Sequence, residues 1–239
     1  MKNRIIIFLS CFIFAGCCLF AQEIERGLII DKYAVEYLQI ADNQSVLYYG
    51  NQQEGHLPRA LNHPYLNETQ FVKGRLSYNK IIYPDELLGL DLSRDELVVI
   101  SPDNDRIVLF SDIVDFAELQ GQLIIYFCHD SLPGSPASGY YTLLYSEKCR
   151  VMKKQSAILV KATGSSSKLE QEYMINTTFF LYKDGVYYAI RTKGGLLKTL
   201  QPFRKELKRF MTANKLSFRK HTDEFLISII SEYEKLSGH

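Results

Sequence analysis

Residues 71–116 alternate apolar and polar side chains in short runs, with Leu76, Tyr78, Ile82, Leu97, Val99, Ile107 and Leu109 on the apolar beat. A period of two puts every second side chain on one face of an extended strand, and each run here ends in residues that favour turns. The pattern describes successive antiparallel strands with one buried face, and it predicts strand cores at 74–78, 81–92, 96–100, 106–110 and 114–119. Pro84 cannot donate to a ladder and should bend or bulge the second of these. Turns are expected at Ser93-Arg94-Asp95 and at 101–105, both rich in side chains that bond to local backbone.

On the N-terminal side, strands are expected at 34–40 and 45–49 around Asp42-Asn43-Gln44. Residues 51–70 carry Gly55, Pro58, Pro64 and two histidines without a sustained period, so they read as a long surface connection. Beyond the alternating block, 123–128 and 140–145 should form a hairpin around a Pro/Gly/Ser loop, followed by a strand at 151–160. Ala162 to Lys168, with Gly164-Ser165-Ser166-Ser167, has linker composition. Strands at 173–182 and 186–192 then flank Lys183-Asp184-Gly185, a hairpin signal. The period changes after that. Phe203, Leu207, Phe210 and Met211, then Phe225, Ile229, Tyr233 and Leu236, recur at helical spacing, with Asn214 closing the first helix and Thr222-Asp223-Glu224 opening the second. The expected fold class is α+β: a predominantly antiparallel β meander with two C-terminal amphipathic helices. Residues 22–162 form the β region, and 163–239 a hairpin plus two helices packed as one unit with it.

Lys2 and Arg4 precede a charge-free run from residue 5 to 20, which is short for spanning a bilayer and is written like an export signal of residues 1–21. Cleavage after Ala21 is favoured. Phe14-Ala15-Gly16-Cys17 also looks like a lipobox, which would leave a lipoprotein anchored through Cys17. Either route places the chain in the periplasm or at the outer membrane, with no transmembrane span in the mature protein. Removing Lys2 and Arg4 from 28 basic residues leaves 26 against 27 acidic ones, a net charge of −1 that argues against a general nucleic-acid binder. Only Cys128 and Cys149 follow the signal. An oxidising compartment favours a bridge, but the expected hairpin holds them about 30 Å apart at ~3.3 Å per residue, and a disulfide needs Cα atoms within about 7 Å.

Leu90-Asp91-Leu92-Ser93-Arg94-Asp95-Glu96-Leu97, the preceding Leu76-Ser77-Tyr78, Lys205-Glu206-Leu207 and Asn214-Lys215-Leu216-Ser217-Phe218 resemble uncharacterised secreted proteins of the Bacteroidetes. The resemblance implies an envelope location and an association with the outer envelope or its uptake systems. It implies no activity.

Several tempting sites have plainer readings. Cys128-His129-Asp130 spells a nucleophile, base and acid, but neighbours on a strand point to opposite faces. His56 and His63 lack third and fourth metal ligands at a usable spacing, and His63-Pro64-Tyr65 should anchor its loop by ring packing. Asp103-Asn104-Asp105 has Val108 and Val114 where a calcium loop needs Gly and Glu, so it reads as a turn. Asp85-Glu86 and Asp95-Glu96 diverge as strand neighbours, whereas glycosidase carboxylates face one another across about 5–9 Å. Ser165-Ser166-Ser167-Lys168 lacks the companion motifs of penicillin-binding enzymes. No catalytic residue, metal site or cofactor is assigned.

Charge is segregated. Residues 186–220 hold ten Lys/Arg and one acid, while 85–118 hold ten Asp/Glu and two Arg. The basic field is expected to be solvated or to face the acidic meander, or else to meet an anionic partner. The leading functional expectation is a non-catalytic binding or assembly module of the cell envelope. It would meet an envelope protein or anionic lipid headgroups through Arg204, Lys205, Lys208 and Arg209 and through the loop bearing His56, His63 and Tyr65. The alternatives are a hydrolase assembled from distant residues, with Asp91, Asp95, His63 and Cys128 first in line, and a carrier of an apolar ligand lined by some of the 16 Tyr and 14 Phe.

Overall fold

The computed structural model describes residues 46–56, 60–162 and 170–238. The export signal, Cys17, the strand expected at 34–40, Pro58 and residues 163–168 of the linker lie outside the described residues. Residues 1–49 and 50–239 are separate compact units. In the first, Val46–Tyr48 form a 3-10 turn, not the strand expected over 45–49, and Tyr49 N–H returns to the Val46 carbonyl at 3.3 Å. Val46-Leu47-Tyr48-Tyr49 is apolar without alternation, so it lacks the two-residue period that commits a segment to a half-buried strand.

The second unit is built on one eleven-stranded antiparallel sheet. Its strands are β1 (Asn51–Gln52), β2 (Val72–Tyr78), β3 (Ile81–Asp91), β4 (Glu96–Ile100), β5 (Arg106–Val108) and β6 (Val114–Leu119). They continue as β7 (Gln122–Phe127), β8 (Gly139–Ser146), β9 (Arg150–Lys161), β10 (Gln171–Lys183) and β11 (Val186–Ile190). The order across the sheet is β1-β5-β4-β3-β2-β6-β7-β8-β9-β10-β11. Two meanders therefore run outward in opposite directions from the β2·β6 pair. The predicted bulge is present: Gly74 pairs Glu86 and Leu76 pairs Tyr83, so Pro84 and Asp85 together oppose the single residue Arg75. The expected strand at 106–110 stops at Val108, where the Leu109 N–H turns to the Leu97 carbonyl at 2.9 Å. Asp184 and Gly185 both take positive φ, 50° and 78°, as the Asp-Gly hairpin turn requires.

The sheet curls until the end of β3 meets β9. Ala157 N–H donates to the Leu92 carbonyl at 2.9 Å, and Asp95, in the β3–β4 turn, accepts from Lys154 Nζ at 2.6 Å and from Tyr140 N–H at 3.2 Å. A Cβ at Gly139 would lie 2.1 Å from Asp95 Oδ2, so only glycine admits the carboxylate there. Strands β3, β2, β6, β7, β8 and β9 are thereby drawn toward a barrel at this end.

Three helices follow where two are expected: α1 (Lys193–Thr199), α2 (Arg204–Ala213) and α3 (Thr222–Leu236). Thr192, expected as the last strand residue, instead caps α1, its Oγ1 accepting from Gly195 N–H at 3.1 Å. Two turns opening on Gly194-Gly195 are too short to display a period, which is why α1 is silent in the sequence. The helices bury Leu196, Leu197, Leu207, Met211, Phe225, Ile229, Ile230 and Tyr233 against Val151, Leu181 and Ile190 of the sheet. Among the described residues no helix is long and apolar enough to cross a membrane. Cys128 is exposed, Cys149 is buried and both are free thiols; burial, then the Glu234 charge, pushes Cys149 up to about 12.

Two buried polar groups in this frame have opposite fates. Glu234 of α3 accepts from Cys149 N–H at 2.6 Å and from the Tyr145 hydroxyl at 2.7 Å, tying the helix layer to the β8–β9 turn. The Tyr140 hydroxyl, 2% exposed in its residue, has no hydrogen-bond partner among the described residues. Removing a satisfied acceptor strands its donors, whereas removing an orphan leaves nothing unpaired. In urea titrations Glu234→Ala is expected to lose about 2 kcal/mol of stability and Tyr140→Phe to gain about 1 kcal/mol.

Candidate functional site

Asp91, the last residue of β3, is fully buried. A carboxylate in that position needs donors on both oxygens. The turn that follows supplies one set locally: Oδ1 accepts from Ser93 N–H (2.9 Å), Ser93 Oγ (2.8 Å) and Arg94 N–H (3.2 Å). The other set comes from the long connection. Oδ2 accepts from Gln53 Nε2 at 3.0 Å and from His56 Nε2 at 2.5 Å.

The network continues outward from these groups. Gln53 Nε2 also donates to Glu96 Oε2 at 3.2 Å, and its Oε1 accepts from the Tyr65 hydroxyl at 2.7 Å. His56 Nε2 donates to Asp91, and its Nδ1 lies 3.2 Å from the Tyr173 hydroxyl. Tyr65 and Tyr173 stand edge-on to the His56 ring with centroids 5.8 and 5.7 Å away. Burial raises the hydroxyl pKa of both tyrosines, keeping them protonated donors.

Backbone contacts fix the same segment at two distant strands. Leu66 N–H donates to Leu90 O and Leu92 N–H to Pro64 O, both at 2.9 Å, so residues 64–66 extend the sheet beside the end of β3. Leu61 N–H bonds Gln171 O at 2.9 Å, and the Asn62 side chain imitates a strand against β10, donating to Tyr173 O at 2.9 Å and accepting from Tyr173 N–H at 2.6 Å. Residues 60–66 are a strap from β10 to β3, and the Asp91–His56 clasp ties down the segment that precedes them. Beside it lies a cleft of about 560 Å³ whose wall includes Gln52, Asn62, His63, Gln70, Asn104 and Arg106. His63 has no free ring nitrogen: Nε2 contacts the Glu68 carbonyl at 2.7 Å and Nδ1 accepts from Tyr65 N–H at 3.3 Å.

Of the residues singled out in the sequence, His56, Tyr65 and Asp91 come together, and His63 lies on the adjoining wall. The imidazole that reaches Asp91 is that of His56. Asp95 is spent on closing the sheet. Cys128 is exposed on a separate loop, where His129 Nδ1 contacts Pro136 O at 3.0 Å and Asp130 accepts from Leu132 N–H and the Tyr187 hydroxyl, so His129 and Asp130 anchor that loop. Arg204, Lys205, Lys208 and Arg209 are exposed on α2, away from the residues that line the cleft. Gln53, Asn62 and Tyr173 went unnoticed in the sequence. Amides carry no motif, and Tyr173 sits on the apolar beat of β10 like any core residue. Asp91 does carry a signal, an acid inside Leu88-Gly89-Leu90-Asp91-Leu92, where a charge interrupts an apolar run.

Among the described residues no three His, Cys, Asp or Glu are grouped to hold a metal ion. Asp91→Asn would present an amide donor to Gln53 or His56, so it is expected to cost about 3 kcal/mol, as for breaking a buried charged network. Limited proteolysis should then cut within residues 51–70, which the intact clasp protects. Comparison of the chain with protein-family models, curated proteins and solved structures finds no match.

Proposed function

We propose that the chain is an exported cell-envelope protein acting as a non-catalytic binding or assembly module, with the cleft beside the strap as its recognition surface. The observation that carries this reading is the commitment of Asp91, His56 and His63. Both oxygens of Asp91 and both ring nitrogens of His56 and of His63 are held by partners within the protein. General acid–base work needs a group within reach of a substrate proton, and these groups are already spent on holding the strap in shape. What they leave facing the cleft is a wall rich in amides, each both donor and acceptor, with the Asp105 carboxylate accepting from Gln52 Nε2 at 3.0 Å and the Arg106 guanidinium held by Gln70 at 3.1 Å and by the Phe71 ring.

Such a wall suits the backbone and polar side chains of a polypeptide partner, consistent with assembly on an envelope protein. Gly55 lines the cleft, and a Cβ there meets nothing within 4 Å, so a larger residue fits without disturbing the clasp. A photo-crosslinking amino acid at position 55 is expected to yield one defined envelope adduct by mass spectrometry. The same residue at Met174 should not yield it, and Arg106→Ala should abolish it. Equal labelling from positions 55 and 174 would refute the cleft as the contact.

A second contact surface is favoured by the charge pattern. None of the ten cations between residues 186 and 220 forms an ion pair among the described residues. Their exposed members on α2 can meet anionic headgroups. Salt-sensitive retention on phosphatidylglycerol vesicles is expected, and it should vanish when Lys205, Lys208 and Arg209 are all replaced by Glu.

A further inference from the structure

The basic field is not uniform. Where β11 ends and α1 begins, the chain places Arg191, Thr192 and Lys193 opposite the α2–α3 connection, which supplies Ser217 and Arg219, and the two segments enclose a pocket of about 650 Å³. Its wall carries three cations and two hydroxyls and no carboxylate. The cations are exposed, and none has an ion-pair partner among the described residues.

The pocket is shaped by the core beneath it and needs no ligand to form. Leu216 and Phe218, which also line it, pack on the helix–sheet core, and Phe218 meets Phe225 edge-to-face at 5.4 Å. The connection is further held by Leu216 N–H to Met211 O (3.0 Å), His221 N–H to Ser217 O (3.2 Å) and Thr222 Oγ1 to Phe218 O (2.7 Å). Thr192 Oγ1 accepts from Gly195 N–H and so keeps its own proton to donate.

We infer that the pocket of Arg191, Lys193 and Arg219 binds a phosphomonoester group. Two guanidinium forks and an ammonium meet the several oxygens of a dianion with charge-assisted hydrogen bonds, and a phosphate presents more such oxygens than a carboxylate. Concentrating three unpaired cations in a concave wall raises the local anion concentration above that over the open face of α2. The volume exceeds that of a bare phosphate, leaving room for the alcohol that carries it. The inference rests on this pocket alone and is independent of the cleft and of α2.

Glycerol 3-phosphate titrated calorimetrically into the full chain at low salt, with glycerol as the control, tests it. One saturable site is expected, absent with glycerol. Arg191→Gln and Arg219→Gln should each weaken it by about tenfold, the loss of one charged hydrogen-bonding partner, while Lys161→Gln, at an exposed cation on β9 that lines no part of the pocket, should leave it within twofold. Unchanged thermal unfolding of these surface variants shows that the fold is kept. The absence of saturable binding, or pocket variants that bind like the wild type, would overturn the inference. Flotation with phosphatidic acid vesicles, in a chain whose Lys205, Lys208 and Arg209 are replaced by Glu so that α2 no longer retains it, separates the sources. Binding lost in the two Arg variants identifies a lipid headgroup, and no flotation alongside intact glycerol 3-phosphate binding identifies a soluble ester; either outcome upholds the site.

Discussion

A carboxylate with no solvent exposure sets the terms for the N-terminal half of this unit. Placing an ionised group in a protein interior costs several kcal/mol unless its lone pairs are met. Asp91 is met by five donors, three from the next turn and two from a segment some 35 to 38 residues earlier in the chain. The requirement reaches further than the pair. Gln53 must be oriented, and Tyr65 orients it; the His56 ring must face Asp91, and the Tyr173 hydroxyl on β10 contacts its other nitrogen. One buried charge thereby obliges an irregular connection to lie across the sheet in a single way. The cleft is a consequence of that path.

The sheet shows how far alternation alone can be read. Strands β2 to β10 follow the period of two to within a few residues, and Pro84 announces its own bulge, because both signals are local. The curl was not legible. It depends on Leu92 meeting Ala157 and on Asp95 entering the space that Gly139 leaves, pairings between residues far apart that no window along the chain contains. The candidate site divides in the same way. His56, Tyr65 and Asp91 stand out singly as ring, ring and misplaced charge, but their meeting is a tertiary fact. Gln53 and Tyr173 have no local mark at all. The missed helix α1 is a third kind of failure: its two glycines weaken helix propensity, and its stability comes from burying Leu196 and Leu197.

Charge segregation has a structural resolution different from mutual neutralisation of the two fields. Four of the ten acids of the meander are paired within the sheet: Lys73 pairs Asp85, Arg75 pairs Glu118, Lys154 pairs Asp95, and Lys80 holds the Asp115 carboxyl below the usual carboxylate range. Most of these pairs are exposed and contribute little to stability. Their effect is on where net charge remains. None of these pairs draws on the ten cations of residues 186–220, which are left facing solvent with only Glu206 among them.

An uncompensated field is costly to keep at short range and is strongest where the surface is concave. The fold creates such a concavity by ending β11 at Ile190 and turning at once into α1, while Leu216 and Phe218 seat the α2–α3 connection on the core opposite. The helices could have buried the same apolar residues with glutamates on their outer faces, since burial of Leu207 and Met211 places no demand on the sign of Lys208 or Arg209. Core packing therefore accounts for the position of these helices and leaves their charge unexplained. The anion inferred for the pocket would account for the charge, and the walls it would meet are already formed.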